Sequence, residues 1–327
     1  MIEPLSVLLL ATIMDLILGD PEITIHPVRI VGKFITKAED LIRSSHLLNM
    51  RLNGVLLLML TTCLFTGATW TLSHILWSWS HIAGTIFSAI CLYFTIGMKC
   101  LADEALSVYE ALRKKDLAIA QARLSRIVGR DTAVLDEVGI ARATIETVAE
   151  NLVDAIIGPI FYWLLFGAPG AVFYRVVNTL DAMVGYKNER YREFGWASAR
   201  MDDLLNLVPA RVTPFAIFIA TLLLKKRLHG KGRIGSIFNY VKLALRQGQG
   251  HESPNSAISE AAFAQSLSIS LGGPTRYSYG LQDRPFLNEK APPPSKDHII
   301  LSIRLMYTTI LMVVTSIWLI GMLKNFL

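Results

Sequence analysis

Charge is scarce in this sequence. Of its 327 residues only 18% are Asp, Glu, Lys or Arg, against about 25% in an ordinary soluble chain. The deficit is concentrated in long apolar runs, and 52% of all residues are hydrophobic. That excludes a soluble globular enzyme and predicts several membrane spans. Cysteine is nearly absent as well. Cys63, Cys91 and Cys100 are widely spaced in or beside apolar runs, and they read as small buried hydrophobes rather than a disulfide framework or a metal site. No CxxC, HExxH or GxxxxGK[ST] occurs, so any nucleotide must be held without a P-loop. No basic stripe interleaved with aromatics is present, which argues against nucleic acid as a partner. The net charge of +6 reads first as a topology signal. No internal repeat is visible, which counts against an inverted-repeat transporter. The start, MIEPLSVLLLATIMDLILGD, lacks a basic n-region and a small-residue cleavage site and carries Glu3 and Asp15. It is expected to be a retained first span rather than a signal peptide.

What is present is a series of apolar segments separated by polar ones. Spans are predicted over Ile2–Leu18, Asn53–Trp77, Ile82–Met98 and Ile299–Leu323. Residues 28–52, with Arg29, Lys33, Lys37 and Arg43, read as an interfacial amphipathic helix. Leu152–Tyr174 is apolar but broken by Gly158-Pro159, Gly167, Pro169 and Gly170, and Leu204–Leu224 holds Pro209, Arg211 and Pro214. Either may be re-entrant, since irregular backbone at membrane depth needs a protein or water-lined setting. The predicted fold is all-α: a polytopic integral membrane protein of about four to six membrane segments, some broken or re-entrant, with amphipathic helices in the polar loops. It is read as a single membrane-embedded domain whose polar functional segments are 19–52, 99–151, 175–206 and 225–298. These carry five, eight, five and eleven Lys and Arg. The positive-inside rule therefore favours the cytoplasm for 19–52, 99–151 and 225–298 but leaves 175–206 undecided.

Four groups of polar residues could carry chemistry. In the stretch Arg130–Asp154, read as one helix capped by Asp131 or Thr132, Arg142, Glu146, Glu150 and Asp154 fall at successive i, i+4 positions. Stacked carboxylates repel, so they need a cation, a metal or solvent. A magnesium–phosphate site would answer this, as would a solvated face with Arg142 pairing Glu146. The block Asn178–Asn206 packs Asp181, Lys187, Arg190, Arg200, Asp202 and Asp203 between apolar segments. The cations suit phosphate and the aspartates a metal; the alternative is a charged loop. Arg211, inside an apolar run, snorkels or meets a buried carboxylate such as Asp154. In Gly250–Gly280, Ser253, Asn255 and the following helix start, with Gly272-Gly273-Pro274 as its stop, offer backbone N–H groups to an anion or are mere punctuation; His251 reads as a surface histidine. In Asp15–Arg29, Asp15 lies in a span and is functional or solvated near the interface.

Taken in order, DLILGDP…HPVR, GRDT…LDE…IARATIETVAENLVDA, GAPGAVFYRVVNTLDAMVGYKNERYREFGWASARMDDLLNLVPAR and HESPNSA…EAAFAQSL…LGGP resemble the adenosylcobinamide-phosphate synthase family, the CobD/CbiB proteins of cobalamin biosynthesis. The resemblance spans roughly residues 10–285. It implies an integral enzyme of the cell membrane, with its active site on the cytoplasmic side. Such an enzyme joins adenosylcobyric acid to aminopropanol phosphate or aminopropanol through an amide, with ATP as co-substrate and Mg²⁺. Amide formation needs an activated carboxylate, and an acyl phosphate is the expected route. On that footing Glu146, Glu150 and Lys187 are the candidate catalytic residues, with Glu150 first as general base. Arg142, Arg190, Arg200, Arg211, Ser253, Asn255, Gly272 and Gly273 are candidates for substrate and phosphate, and Asp154, Asp181, Asp202 and Asp203 for metal. The expected partners are the corrinoid, the amine, the bilayer and other cobalamin-pathway enzymes. The rival function is a membrane transporter or scaffold for a corrinoid or another anion.

Overall fold

The computed structural model describes residues 2–21, 26–44, 49–224, 236–249, 251, 253–277 and 280–326. Parts of the predicted polar segments, residues 22–25, 45–48 and 225–235 among them, lie outside the described residues. The described chain is mostly helical. Five helical stretches are long and apolar enough to cross a membrane, and Leu5–Leu18 is a shorter apolar one. The chain divides into two compact units, residues 1–97, 154–206 and 317–327 in the first and 98–153 and 207–316 in the second.

The first unit contains α1 (Ile2–Leu18), α2 (Pro27–Ser44), α3 (Met50–Trp79) and α4 (His81–Thr95). Residues of α8 (Gly158–Val184), the start of α9 (Trp196–Leu224) and the end of the last helix, from residue 317, also belong to it. The helix predicted over 28–52 ends at Ser44. Its face of Val31, Ile35, Ala38 and Ile42 packs with Leu57 of α3 and Tyr174, Val177 and Leu180 of α8 in one core, while Lys33 and Lys37 stay off it.

The broken segment is a helical hairpin. At Gly167 the backbone takes φ 66° and ψ −157°, a conformation that costs a side chain dearly. Pro169 then opens the returning arm, where its fixed φ suits a first turn. The arms touch at two glycines. A Cβ on Gly170 would lie 2.3 Å from Tyr162 O, and one on Gly158 2.2 Å from Tyr174 Cζ. The rings of Tyr162 and Tyr174 stack at 5.3 Å. By contrast, Pro209 and Pro214 do not break α9.

The second unit contains α5 (Met98–Arg113), α6 (Leu117–Leu124), α7 (Glu137–Leu152), α10 (Ile237–Gly248) and α11 (Ser256–Leu267). To these it adds most of α9 and of α12 (Asp297–Phe326). Two antiparallel strand pairs join β1 (Leu271–Gly272) to β4 (Phe286–Leu287) and β2 (Thr275–Tyr277) to β3 (Gly280–Gln282). The helix expected from Arg130 begins seven residues later. Its cap is Asp136, whose Oδ1 accepts from Gly139 N at 2.7 Å, not Asp131 or Thr132. Arg130 instead bridges Tyr277 of β2 and Asp131 N donates to Arg276 O, after which Thr132–Leu135 close a turn through Leu135 N to Thr132 O. The helix also ends early: Val153–Ile157 is a π-helical turn, which interrupts the i, i+4 register before Asp154 is reached.

Candidate active site

The second unit gathers three glutamates, two arginines and a histidine. Glu146, in the middle of α7, is 2% exposed. Its Oε2 accepts from Arg130 Nη2 at 2.7 Å and its Oε1 from Gly272 N at 2.7 Å. The Gly272 turn has φ 70°, a glycine conformation that aims the N–H inward. Arg130 is held by its bridge to Tyr277. Both features of the predicted solvated face therefore fail at this residue: it is buried, and its cation is Arg130 rather than Arg142.

Glu260 on α11 is also 2% exposed. Arg284 Nη2 donates to its Oε2 at 3.2 Å and to His251 Nδ1 at 3.0 Å, and Arg284 Nε reaches the same nitrogen at 3.2 Å. An arginine can only donate, so Nδ1 is the acceptor and the neutral ring carries its proton on Nε2. Burial, then the neighbouring Arg284 charge, pushes His251 down to about 4. Burial, reinforced by the Glu146 carboxylate, pushes Glu260 up to about 8. His251 is thus a clamped internal residue, not the surface histidine expected. Glu150, one turn beyond Glu146, is half-buried. It lies in the fields of Arg284, Arg130 and Glu146, with no hydrogen bond or ion pair of its own among the described residues.

Arg142, one turn before Glu146, lies over the Phe286 ring at 5.6 Å, and its buried Nε has no hydrogen-bond partner among the described residues. A cation and a carboxylate without fixed partners thus flank the locked Glu146, about 12 Å apart along α7 at 1.5 Å per residue. Arg211 donates to Asn255 Oδ1 at 3.1 Å and to Leu207 O at 2.9 Å, an amide and a carbonyl rather than a carboxylate. Asn255 makes no side-chain cap for α11; Ser253 Oγ accepts from the backbone N–H of Asn255 and Ser256 instead. Gly272 N serves Glu146, and Gly273 N donates to Pro285 O at 3.3 Å.

The remaining predicted residues belong to the first unit. Asp202 accepts from Asn206 Nδ2 at 3.0 Å and Asn178 Nδ2 at 3.3 Å, and Asn206 Oδ1 accepts from Tyr174 Oη at 2.7 Å. Asp154, in the π-helical turn, and Asp202 both bear electrostatically on Tyr174. Asp181 lies against Gly185, where a Cβ would fall 2.0 Å from Oδ1. Arg190 pairs with Glu39 at 3.0 Å, and Arg200 stands 3.9 Å from Asp203. Lys187 is exposed in the connection between α8 and α9. Asp15 is buried, and His26 meets Asp20 at 2.6 Å. Among the described residues no three His, Cys, Asp or Glu side chains converge as a metal cage. The aspartates suit a cation that brings phosphate oxygens with it, because Mg²⁺ needs only one or two carboxylates.

The family model described as CobD/Cbib protein matches residues 8–306. Cobalamin biosynthesis protein CobD of Pelobacter propionicus is 43% identical over 323 residues, covering 97% of this chain and 96% of its own. The CobD protein of Clostridium perfringens is 41% identical over 282 residues, covering 86% and 87%. Cobalamin biosynthesis protein CbiB of Salmonella typhimurium is 39% identical over 310 residues, covering 91% of each. No solved structure matches.

Proposed function

Because the chain belongs to the CobD/CbiB family, we propose that it is a membrane enzyme of cobalamin biosynthesis, an adenosylcobinamide-phosphate synthase. It joins the carboxylate of adenosylcobyric acid to aminopropanol phosphate, or aminopropanol, as an amide, with ATP as co-substrate. The observation that carries the catalytic part is the α7 face, where, among the described residues, Glu150 has no fixed partner beside a fully engaged Glu146 and Arg142 pairs with no acid.

The carboxylate must first be activated, and transfer of the ATP γ-phosphoryl group to it gives an acyl phosphate and ADP. Lys187, Arg190, Arg200 and Arg211 are the cations proposed for phosphates and the corrinoid carboxylate, with Arg142, Ser253, Asn255, Gly272 and Gly273 as further binding residues. Mg²⁺ would neutralise phosphate charge there, with Asp154, Asp181, Asp202 and Asp203 as its proposed carboxylates. The amine arrives as an ammonium ion. Glu150 takes one proton and frees the nitrogen lone pair. The nitrogen attacks the acyl carbon, the bond to phosphate breaks, and the departing phosphate takes the second proton. Burial keeps water from competing for the acyl phosphate. The Lys and Arg content of 99–151 and 225–298 supports a cytoplasmic active site.

The test is purified protein with ATP, Mg²⁺, adenosylcobyric acid and aminopropanol phosphate. Product by mass spectrometry, with one ADP formed per amide, supports the reading. Accumulation of unchanged corrinoid in proteoliposomes without product would instead favour the transporter, a reading to which the re-entrant hairpin lends some support.

A further inference from the structure

Three carboxylates and two guanidiniums share the buried cluster of the second unit, so full ionisation leaves it one negative charge in excess. A low-dielectric interior does not tolerate that charge. The groups facing Glu260 are Glu146 and Glu150 from α7, Arg130 ahead of α7, Arg284 before β4 and, through the arginines, His251 and Tyr277. Glu146 is committed: both oxygens are taken, one by Arg130 and one by Gly272 N–H. Glu260 has only the single guanidinium of Arg284, which it shares with His251. Glu150 has neither. The excess charge therefore has two places to be neutralised by a proton, Glu150 and Glu260.

We propose that Glu260 and Arg284 are positioning residues for amide formation, acting through Glu150: the two carboxylates hold one proton between them, and Arg284 sets which of them carries it. The proposal rests on Glu150 serving as the base for the incoming ammonium. While Glu260 keeps the proton, Glu150 is ionised and ready for the amine. When Glu150 accepts a proton from the ammonium, Glu260 keeps its own, and the half-buried Glu150 returns the accepted proton to water before the next turnover. Glu260, being 2% exposed, holds its proton without touching substrate. The upward push on its carboxyl, from burial and from Glu146, agrees with its holding the proton at neutral pH. An isolated pair of surface acids would have no such coupling.

The experiment is the pH profile of kcat/KM for the amine, from pH 5.5 to 9.5, in the wild-type protein, Glu260→Gln, Arg284→Gln and Arg284→Lys, each first shown to elute as folded protein in detergent. Glu260→Gln replaces a protonated acid by a neutral amide, so the rise of activity with pH should stay in place; a move to lower pH by one unit or more would mean that Glu260 is ionised in the wild type. Arg284→Gln removes a cation, so the rise should move to higher pH. Arg284→Lys keeps the charge and should return the profile most of the way to wild type, and it serves if Arg284→Gln fails to fold. A displacement in Arg284→Gln that lysine reverses is not what mere loss of packing gives. A rise moved to lower pH in Glu260→Gln, or left unmoved in folded Arg284→Gln, would overturn the positioning role alone. No product from wild-type protein at any pH would overturn the reaction itself.

Discussion

Glu146 and Glu150 lie one helical turn apart and face opposite energetic problems. Glu146 is an ion in a dry place, held by Arg130 at 2.7 Å. Arg130→Ala leaves that charge uncompensated, and the expected loss is about 3–5 kcal/mol of stability, the usual result of breaking one side of a buried pair. Replacing Lys99, 3.8 Å from Asp103 on an open helix face, should cost less than about 1 kcal/mol. Denaturant titration in detergent compares the two. Glu150 has no such structural duty. Glu150→Gln is expected to elute unchanged in detergent while amide formation falls by about 10²–10⁴-fold, the range for loss of a general base. Turnover near wild type by mass spectrometry would remove it from the mechanism.

The same cluster makes stability depend on pH in a definite direction. Glu260 is pushed up from 4.5 to about 8 in the folded protein, so the native state keeps a proton that the unfolded chain gives up. That contribution is complete below pH 4.5 and is lost as pH rises towards 8. His251 is pushed down from 6.5 to about 4, so its contribution is complete above pH 6.5 and is lost as pH falls. The two oppose each other at acidic pH, and above pH 6.5 only Glu260 remains. The melting temperature in detergent should fall between pH 6.5 and 8, with a limiting slope of about 1.4 kcal/mol per pH unit, and Glu260→Gln should flatten that decline.

At the scale of elements, two departures from regular helix decide where side chains fall. The π-helical turn at Val153–Ile157 is why the stripe Glu146, Glu150, Asp154, regular on paper, does not continue to Asp154. The Gly167 break is what turns α8 back on itself. Gly167→Ala places a side chain at φ 66° and should cost about 1–3 kcal/mol. Gly170→Ala, whose Cβ would lie 2.3 Å from Tyr162 O, should be at least as damaging, because backbone must move. Gly67→Ala is the control: nothing lies within 4 Å of its Cβ, and helix propensity leaves stability equal or slightly raised. Thermal melts in detergent rank the three. Element identity was legible in the sequence because apolar runs and glycine–proline punctuation are local signals. The break at 167–170 was found on that ground, whereas Glu150 was singled out by its i, i+4 spacing and by the family resemblance. The partners of Glu146 were not. Gly272 lies 126 residues away, and Arg284 sits in DRPF, where no spacing marks it. Glu260 is one charge in a small-residue helix, a weak sign of burial that only a known neighbour turns into a cluster.

At the scale of the molecule, the hairpin predicts a membrane side for residues 175–206 within the first unit. Counting Lys and Arg left that block undecided because a sequence cannot distinguish a crossing helix from one that returns. The contacts can. Near one end, Tyr93 Oη donates to Gly19 O at 2.7 Å, Arg43 Nη2 to Arg190 O at 3.0 Å, and Gly97 N to Ala155 O at 3.2 Å. At the other, Gly84 packs on Trp77, and the Gly167 apex lines one cavity of about 660 Å³ with Val7, Trp70 and Trp77. The arm from Ala155 to Phe166 rises only about 18 Å at 1.5 Å per residue, short of the roughly 30 Å of a bilayer core. Residues 26–44 and 185–195 of the first unit therefore lie at one end, opposite the α3–α4 turn, and by their lysines and arginines that end is predicted to face the cytoplasm. With Cys63, Cys91 and Cys100 replaced, single cysteines at Asp40→Cys and Glu189→Cys should react with an impermeant maleimide in inverted vesicles and be protected in right-side-out ones. His81→Cys should show the reverse. Labelling of Glu189→Cys from the side that labels His81→Cys would mean that the α8 segment crosses the membrane completely, and the re-entrant hairpin would be wrong.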